Sequence, residues 1–492
     1  MLYMLYKCSI FAGKKASMKA NESLQLSLRF KDMLASDLSH AFAAYIPSGM
    51  IEEKASSLKP KSRNSVFTPA NVILTMLLTA IQEDKSLQSG LNLFKTVFES
   101  NSHLIFQEEA YQLNAEKIKD SQLPVKAGRP KTYKSRLSRS CRNPLSENTA
   151  GYSTARKNLD TSIFEDVFKY SADFGDLDKE RWHGMKTYVS DGTYLQLQGT
   201  EDIKSQFAVK NQEDSYPQAL LQVLIRQGTG QVSQFTLGSR DVSELFSVIP
   251  MIRNMEENSL FLADDLYNSR YHFCLVLAQK CHITVPGKRE RNYKAVRQIS
   301  ANDQIVEISK TNRPDYVSPE EWKNLPKSIL MRRMTYTYPT KNGEEEAVLY
   351  TTLLDENIRD TAIIVKYAMR WDIEISIRET KTLMDINVLR SKSREMMIKE
   401  LLIALTAYNM VRKKIAESAD AVGFPPQDNI FQKFSPFDRP VLLDKRGRVF
   451  YKWSPGRLGY ANGKNKLSSD SAPKREKKTL SAKIKKREIS KI

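Results

Sequence analysis

The 492-residue chain carries 76 Lys and Arg against 57 Asp and Glu, a formal net charge of +19, with 41% hydrophobic and 27% charged residues. That length exceeds a single core and calls for roughly two to four domains. The composition excludes a disordered chain, and the charge favours a polyanionic partner, nucleic acid or an anionic membrane surface.

In chain order, the N-terminus MLYMLYKCSIFAGKK has only a six-residue apolar start before Lys7, too short for a signal-peptide core, and Met18 is a second candidate start. Residues 21–115 read as helices and form a candidate end-binding unit. Thr68-Pro69 is an N-cap followed by Pro at the first helical position, and Val72, Ile73, Met76, Leu77 and Ala80 mark an apolar face. The longest apolar stretch, VILTMLLTAI at 72–81, is about half a membrane-spanning helix, so no membrane partner is expected. After the polar turn QEDK, Leu87, Leu91, Phe94 and Phe98 give a second amphipathic helix. The pair is either a helix-turn-helix or a packing hairpin.

Residues 116–180 read as a basic linker and a helix. Within them, 122–145 hold Lys126, Arg129, Lys131, Lys134, Arg136, Arg139 and Arg142 and no acid, an extended segment suited either to solvent or, through Gly128-Arg129-Pro130, to a DNA groove. Arg129 and Lys131 are its candidate DNA contacts.

Periodicity then switches to two. KTYVSDGTYLQL (186–197) alternates, with Asp191 on the same face as Val189, Thr193 and Leu195. A hairpin at 219–239 turns through Gly228 and Gly230; a helix at 241–255 is capped by Asp241. SLFLADD is a short buried strand ending in acids, SRYHFCLVLAQK a helix, and HITVPGK a further strand. The expected core is therefore α/β, a mixed sheet covered by helices, spanning 181–289 and 361–415 with a β-rich insertion at 290–360. Beyond residue 416 the pattern decays into a C-terminal region, and residues 474–492 hold nine Lys/Arg against two Glu, a basic, disordered tail. The four cysteines, Cys8, Cys141, Cys274 and Cys281, give neither a disulfide framework nor a zinc spacing, which fits a reducing cytoplasm.

YAMRWDIEISIRETK (367–381) sets Tyr367, Arg370, Glu374, Arg378 and Lys381 at helical offsets 0, 3, 7, 11 and 14. At about 100° per residue these share an arc of roughly 80°, a charged stripe between apolar flanks. Asp191 in an apolar strand, Asp264 at a strand end and Glu374 on the stripe each have a local explanation: an Asp-Gly turn, a helix cap and an i±4 ion pair. Together, at strand carboxyl ends, they would repel one another unless hard divalent cations neutralised them.

Tyr367, Arg370, Glu374 and Lys381 match Y-x2-R-x3-E-x6-K, and the chain thereby resembles bacterial DDE transposases of the insertion-sequence-four type. SDGT at 190–193 and FLADDLYNS are similar to the segments carrying that family's two catalytic aspartates, and the likeness runs from about residue 30 to 415. The resemblance implies a ribonuclease H-like core with a β-strand insertion before the glutamate. It also implies a catalytic and metal-binding set of Asp191, Asp264 and Glu374 holding two Mg²⁺ ions, with Mn²⁺ able to substitute. Tyr367, Arg370 and Lys381 would hold phosphates of the element's ends, with Arg378 in a salt bridge and Trp371 in the core. The implied activity is cleavage of transposon ends and joining of the 3′-hydroxyl to target DNA, by a homodimer on double-stranded DNA in the bacterial cytoplasm. One departure stands out: the family usually has Arg-Gly after its second Asp, whereas this chain has Asp265-Leu266, which leaves a DNA-binding regulator of transposition as the alternative.

Overall fold

The computed structural model describes residues 41–58, 66–82, 84–100, 148–208, 216–287, 293–340, 343–370 and 386–422, together with the short strands Val441–Leu443 and Val449–Tyr451. Arg129, Lys131, Glu374, Arg378, Lys381 and the 474–492 tail lie outside these residues.

Five helices precede the sheet: α1 (Ser48–Leu58), α2 (Pro69–Ala80), α3 (Leu87–Ser100), α4 (Ala150–Asn158) and α5 (Thr161–Ala172). Thr68 caps α2 as the sequence suggests, its hydroxyl accepting the Asn71 N–H at 3.2 Å, with Pro69 in the first turn. Of this pair, α2 packs inward, while α3 keeps Gln88, Asn92 and Thr96 exposed. Nine consecutive residues of α2, Ala70 to Leu78, are buried, so the helix has no broad face left for DNA. Its apolar side chains belong to the same cluster as the sheet, so the expected helical unit is, over its described part, packed into the main body.

Next come β1 (Lys186–Gln196), α6 (Glu201–Phe207), β2 (Gln218–Arg226) and β3 (Val232–Ser239). Asp191 and Gly192 lie inside β1, paired with Val223 and Gln222 of β2, and not in a turn. The β2–β3 turn uses positive φ at Gly228 and Gly230. The single helix expected at 241–255 is broken into α7 (Glu244–Ser247) and α8 (Ile249–Arg253). Ser243, not Asp241, caps α7 by accepting the Leu245 N–H, and Pro250 in the first turn of α8 starts a new helix instead of continuing the old one.

The parallel strands β4 (Ser259–Leu262) and β5 (His282–Pro286) flank α9 (Arg270–Ala278). The insertion contributes β6 (Lys294–Ser300), β7 (Asp303–Ser309), α10 (Pro319–Asn324), β8 (Ser328–Thr340) and β9 (Gly343–Thr351). It does not form a separate sheet. β9 pairs antiparallel with β5, giving one nine-stranded sheet in the order β3-β2-β1-β4-β5-β9-β8-β7-β6. Then follow α11 (Asp360–Ala368) and the long α12 (Arg394–Val422), which runs past the expected core limit at residue 415. Among the described residues, no helix is long and apolar enough to cross a membrane.

α12 is clamped to the β2–β3 turn. Tyr408 donates to the Gly230 carbonyl at 3.0 Å, Arg412 Nε donates to Thr229 O at 2.9 Å, and Asn409 engages both the N–H and the C=O of Val232. Gly230 has φ +77°, and a Cβ there would stand 2.5 Å from the Arg412 guanidinium. Gly230→Ala is therefore expected to cost about 1–3 kcal/mol of stability through backbone strain and the displaced Arg412, measured by urea unfolding. A variant as stable as the parent would mean that the clamp is not formed.

Candidate active site

β1 and β4 run parallel as direct neighbours, with Val189 opposite Leu262. Two residues further along each strand brings Asp191 level with Asp264. Both carboxylates thus arrive at the carboxyl edge of the sheet, where ligands bind in open α/β sheets.

The chain at Asp264 is held tightly. The Ala263 N–H donates to Thr284 O at 3.1 Å, and the Ala263 carbonyl accepts the Tyr367 hydroxyl at 3.2 Å. Asp264 then ends the strand as the cap of a short 3₁₀ turn, its carboxylate accepting the Leu266 N–H at 2.8 Å. Of the two adjacent acids, it is the charge of Asp264 that reaches Glu244, Tyr267 and Tyr367. The Asp191 carboxylate accepts the N–H of Gly192 at 2.9 Å.

Tyr367 differs from its expected role as an exposed phosphate donor. Its side chain is 7% exposed, its hydroxyl is committed to Ala263, and burial drives its ionisation far above the ordinary tyrosine range. In this position it supports the Asp264 turn. The Arg370 guanidinium lies 5.9 Å from the centre of the Tyr367 ring and is half-buried. α11 stops at Ala368 and the chain turns at Met369 and Arg370, whose N–H groups bond to the Val365 and Tyr367 carbonyls; the rest of the arc expected across 367–381 lies outside the described residues. Gln227 of the β2–β3 turn holds the Met369 carbonyl at 3.1 Å.

Glu374 and Lys381 fall in the undescribed stretch, one flank of which is fixed next to Asp264 and the other at the far end of β1, five residues beyond Asp191. On one side stands Tyr367 on Ala263. On the other, the Gln196 N–H of β1 donates to Asn387 O at 2.8 Å, and the Leu389 N–H donates to Gln196 O at 3.0 Å.

The structure adds residues that the sequence reading missed. Glu244, first in α7, has its ionisation raised by burial and then by the charges of Asp191 and Asp264. Below it, fully buried Gln222 donates from Nε2 to Ser190 Oγ and to the Tyr267 hydroxyl, both at 2.7 Å. The signal for Glu244 was Gly192: a glycine inside a strand marks the close approach of another group. A Cβ at Gly192 would stand 2.6 Å from the Glu244 carboxyl carbon.

Among known proteins, residues 182–410 match the family model described as transposase DDE domain. The transposase InsG for insertion sequence element IS4 from Escherichia coli (strain K12) is 23% identical over 286 residues, covering 56% of this chain and 62% of that protein. Both likenesses agree with the resemblance to DDE transposases of the insertion-sequence-four type that the motif residues carry. A cryo-EM structure of piggyBac transposase in a synaptic complex with hairpin DNA aligns over 80% of this chain and 79% of that one, at 10% identity and a TM-score of 0.37, too low to argue a fold from. β1, α7 and α11, which carry Asp191, Glu244 and Tyr367, and the turn after β4 that carries Asp264 all fall inside the matched segment.

Beneath the DDE site, His272 engages Leu245 O through Nε2 at 2.9 Å and so fixes the turn that carries Glu244. Burial pushes its ionisation down to about 4, against an ordinary value of 6.5. The folded protein keeps this imidazole neutral while the unfolded chain takes up a proton below about 6.5. The stability contribution is therefore complete above that pH and is lost as pH falls towards 4, by on the order of 3 kcal/mol. Urea titrations should show His272→Gln with a flatter stability profile than the parent across pH 6.5 to 4; parallel profiles would refute the assignment.

Proposed function

We propose that this protein is a DNA transposase that binds the ends of an insertion sequence, cleaves them by phosphodiester hydrolysis and joins the freed 3′-hydroxyl to target DNA. The observation that carries this reading is the level placement of Asp191 and Asp264 on adjacent parallel strands inside the DDE segment. The mixed sheet with three parallel strands, β1, β4 and β5, at its centre supports a ribonuclease H-like core extended by the β6–β9 insertion.

Asp191 and Asp264 are hard oxygen donors side by side, which suits Mg²⁺ or Mn²⁺. Glu374 would be the third ligand, since both flanks of its segment are tied to β1 and to Ala263. When bound, such ions supply an activated water or hydroxyl nucleophile and stabilise the leaving oxygen. The protein's own part is positioning. Tyr367 fixes the Asp264 turn, Gln227 fixes the exit of α11, and Arg370 and Lys381 neutralise phosphates of the element's end. Arg129, Lys131 and the basic tail would add contacts along the DNA backbone, and pairing of two ends calls for a homodimer on DNA in the bacterial cytoplasm.

The test uses a supercoiled plasmid bearing the element's ends, with Mg²⁺ or Mn²⁺. Asp191→Asn should abolish end nicking, by at least about 10³-fold for loss of a group essential to transition-state stabilisation, with end binding intact. Tight binding by the parent with no nicking in either metal would instead support the regulator reading, which the Asp265-Leu266 departure favours.

Lys381→Ala should weaken end binding and lower the slope of log affinity against log salt by about 0.9, one phosphate contact. An unchanged slope would remove Lys381 from the DNA interface.

A further inference from the structure

Glu244 stands in surroundings that a purely structural acid would avoid. It is half-buried, and among the described residues no Lys, Arg or His pairs with it. The charges that reach it are those of Asp191 and Asp264, both repulsive. Its carboxyl lies over the backbone of β1 in the gap left by Gly192, where an added Cβ would come within 2.6 Å of Cδ and 2.8 Å of Oε1. The same point is 2.7 Å from Oε1 of Gln222. That amide oxygen is buried and has no hydrogen-bond partner, while the amide nitrogen is committed to Ser190 and Tyr267. Two oxygens therefore converge on one spot beside Asp191 with no donor between them. A buried acceptor left unsatisfied costs about 1–3 kcal/mol, and an unpaired, partly buried carboxylate adds to that cost. A cation with its attached waters supplies both the missing donors and the missing positive charge.

We propose that Glu244 is a fourth acid of this site, held against Gln222 in the Gly192 gap, and that it grips a hydrated divalent cation through the ion's water shell alongside Asp191 and Asp264. The proposal rests on the transposase reading for the identity of the site. Contact through water is the form proposed for Glu244, whose carboxyl lies over Gly192 while Asp191 and Asp264 would supply oxygen ligands directly. Mg²⁺ characteristically keeps several of its waters, and groups that hold such waters tune affinity without touching the metal. Ser243 and His272 hold the N–H and the carbonyl of Leu245, the residue that follows Glu244.

The experiment measures Mn²⁺ alone binding to the full chain without DNA, by calorimetry, for the parent, Glu244→Gln and Asp191→Asn. Glu244→Gln keeps the size and polarity of the side chain and removes its charge. It should weaken Mn²⁺ binding about tenfold, with a metal-free melting temperature equal to or above the parent's because a repulsive charge has gone. Cobalt(III) hexammine, whose ammonia shell does not exchange, should lose about the same factor, as expected for a contact made through the shell. If Glu244→Gln does not fold, Glu244→Ala carries the same comparison. Parent-like Mn²⁺ affinity in a folded Glu244 variant, with Asp191→Asn impaired, overturns the role of Glu244 alone. Parent-like affinity in Asp191→Asn as well would overturn the metal-dependent reading of the whole site. Loss of Mn²⁺ binding with hexammine binding unchanged would overturn contact through water.

Discussion

Parallel pairing of β1 with β4 is the constraint around which the molecule is built. Neighbouring strands lie about 4.8 Å apart, so two carboxylates carried close to level on them repel one another. The ladder does not let them separate. β1 is pinned on its other side by nine residue pairs with β2, and β4 is pinned by β5. Between them, Ala263 is bonded from two directions, so the peptide entering Asp264 has little freedom to rotate the acid away.

The insertion is part of this restraint. On β8, buried Arg332 pairs through Nε with buried Asp303 of β7 at 2.9 Å. Its Nη1 donates to both the Asp355 and Ile358 carbonyls, just ahead of α11, and Nη2 joins Nε on Asp303. A buried ion pair contributes little net stability, but it fixes geometry when its remaining donors are satisfied, as they are here. Arg332 thus carries the position of the insertion sheet into α11, and α11 carries it through Tyr367 to Ala263 and Asp264. A single nine-stranded sheet makes this possible; an insertion folded apart on its own sheet could not transmit that register.

The strands were legible because alternation survives wherever one face is buried, as in β1, β7 and β9. β6 was not, because nearly all of its residues are exposed and no period distinguishes them. The helix at 241–255 was read as continuous because periodicity ignores local breaks, and Pro250 interrupts it. Both aspartates were visible as acids in apolar strands. Tyr367 was visible as a motif residue, but its direction was not, since an aromatic hydroxyl reads the same whether it meets a phosphate or a backbone carbonyl. Glu244 gave no pattern of its own. Only the tertiary fold brings α7 over Gly192.

At this one place the fold accepts three unfavourable choices. Glycine within a strand sacrifices about 0.5–1 kcal/mol of conformational entropy, an amide oxygen is buried unpartnered, and acids are gathered without a basic partner for Glu244. Several buried cations elsewhere do have an acid beside them: Arg226 has Asp178, Arg332 has Asp303 and Lys399 has Glu395. Concentrated departures from local consistency mark functional sites, because packing alone gives no reason to keep them. A hydrated divalent ion relieves two of the three directly and explains the third, since Gly192 is the opening that lets the carboxyl of Glu244 reach the edge where Asp191 and Asp264 stand. The acids, the glycine and the orphaned amide are thus one arrangement, and its physical meaning is positive charge held at the carboxyl ends of two parallel strands.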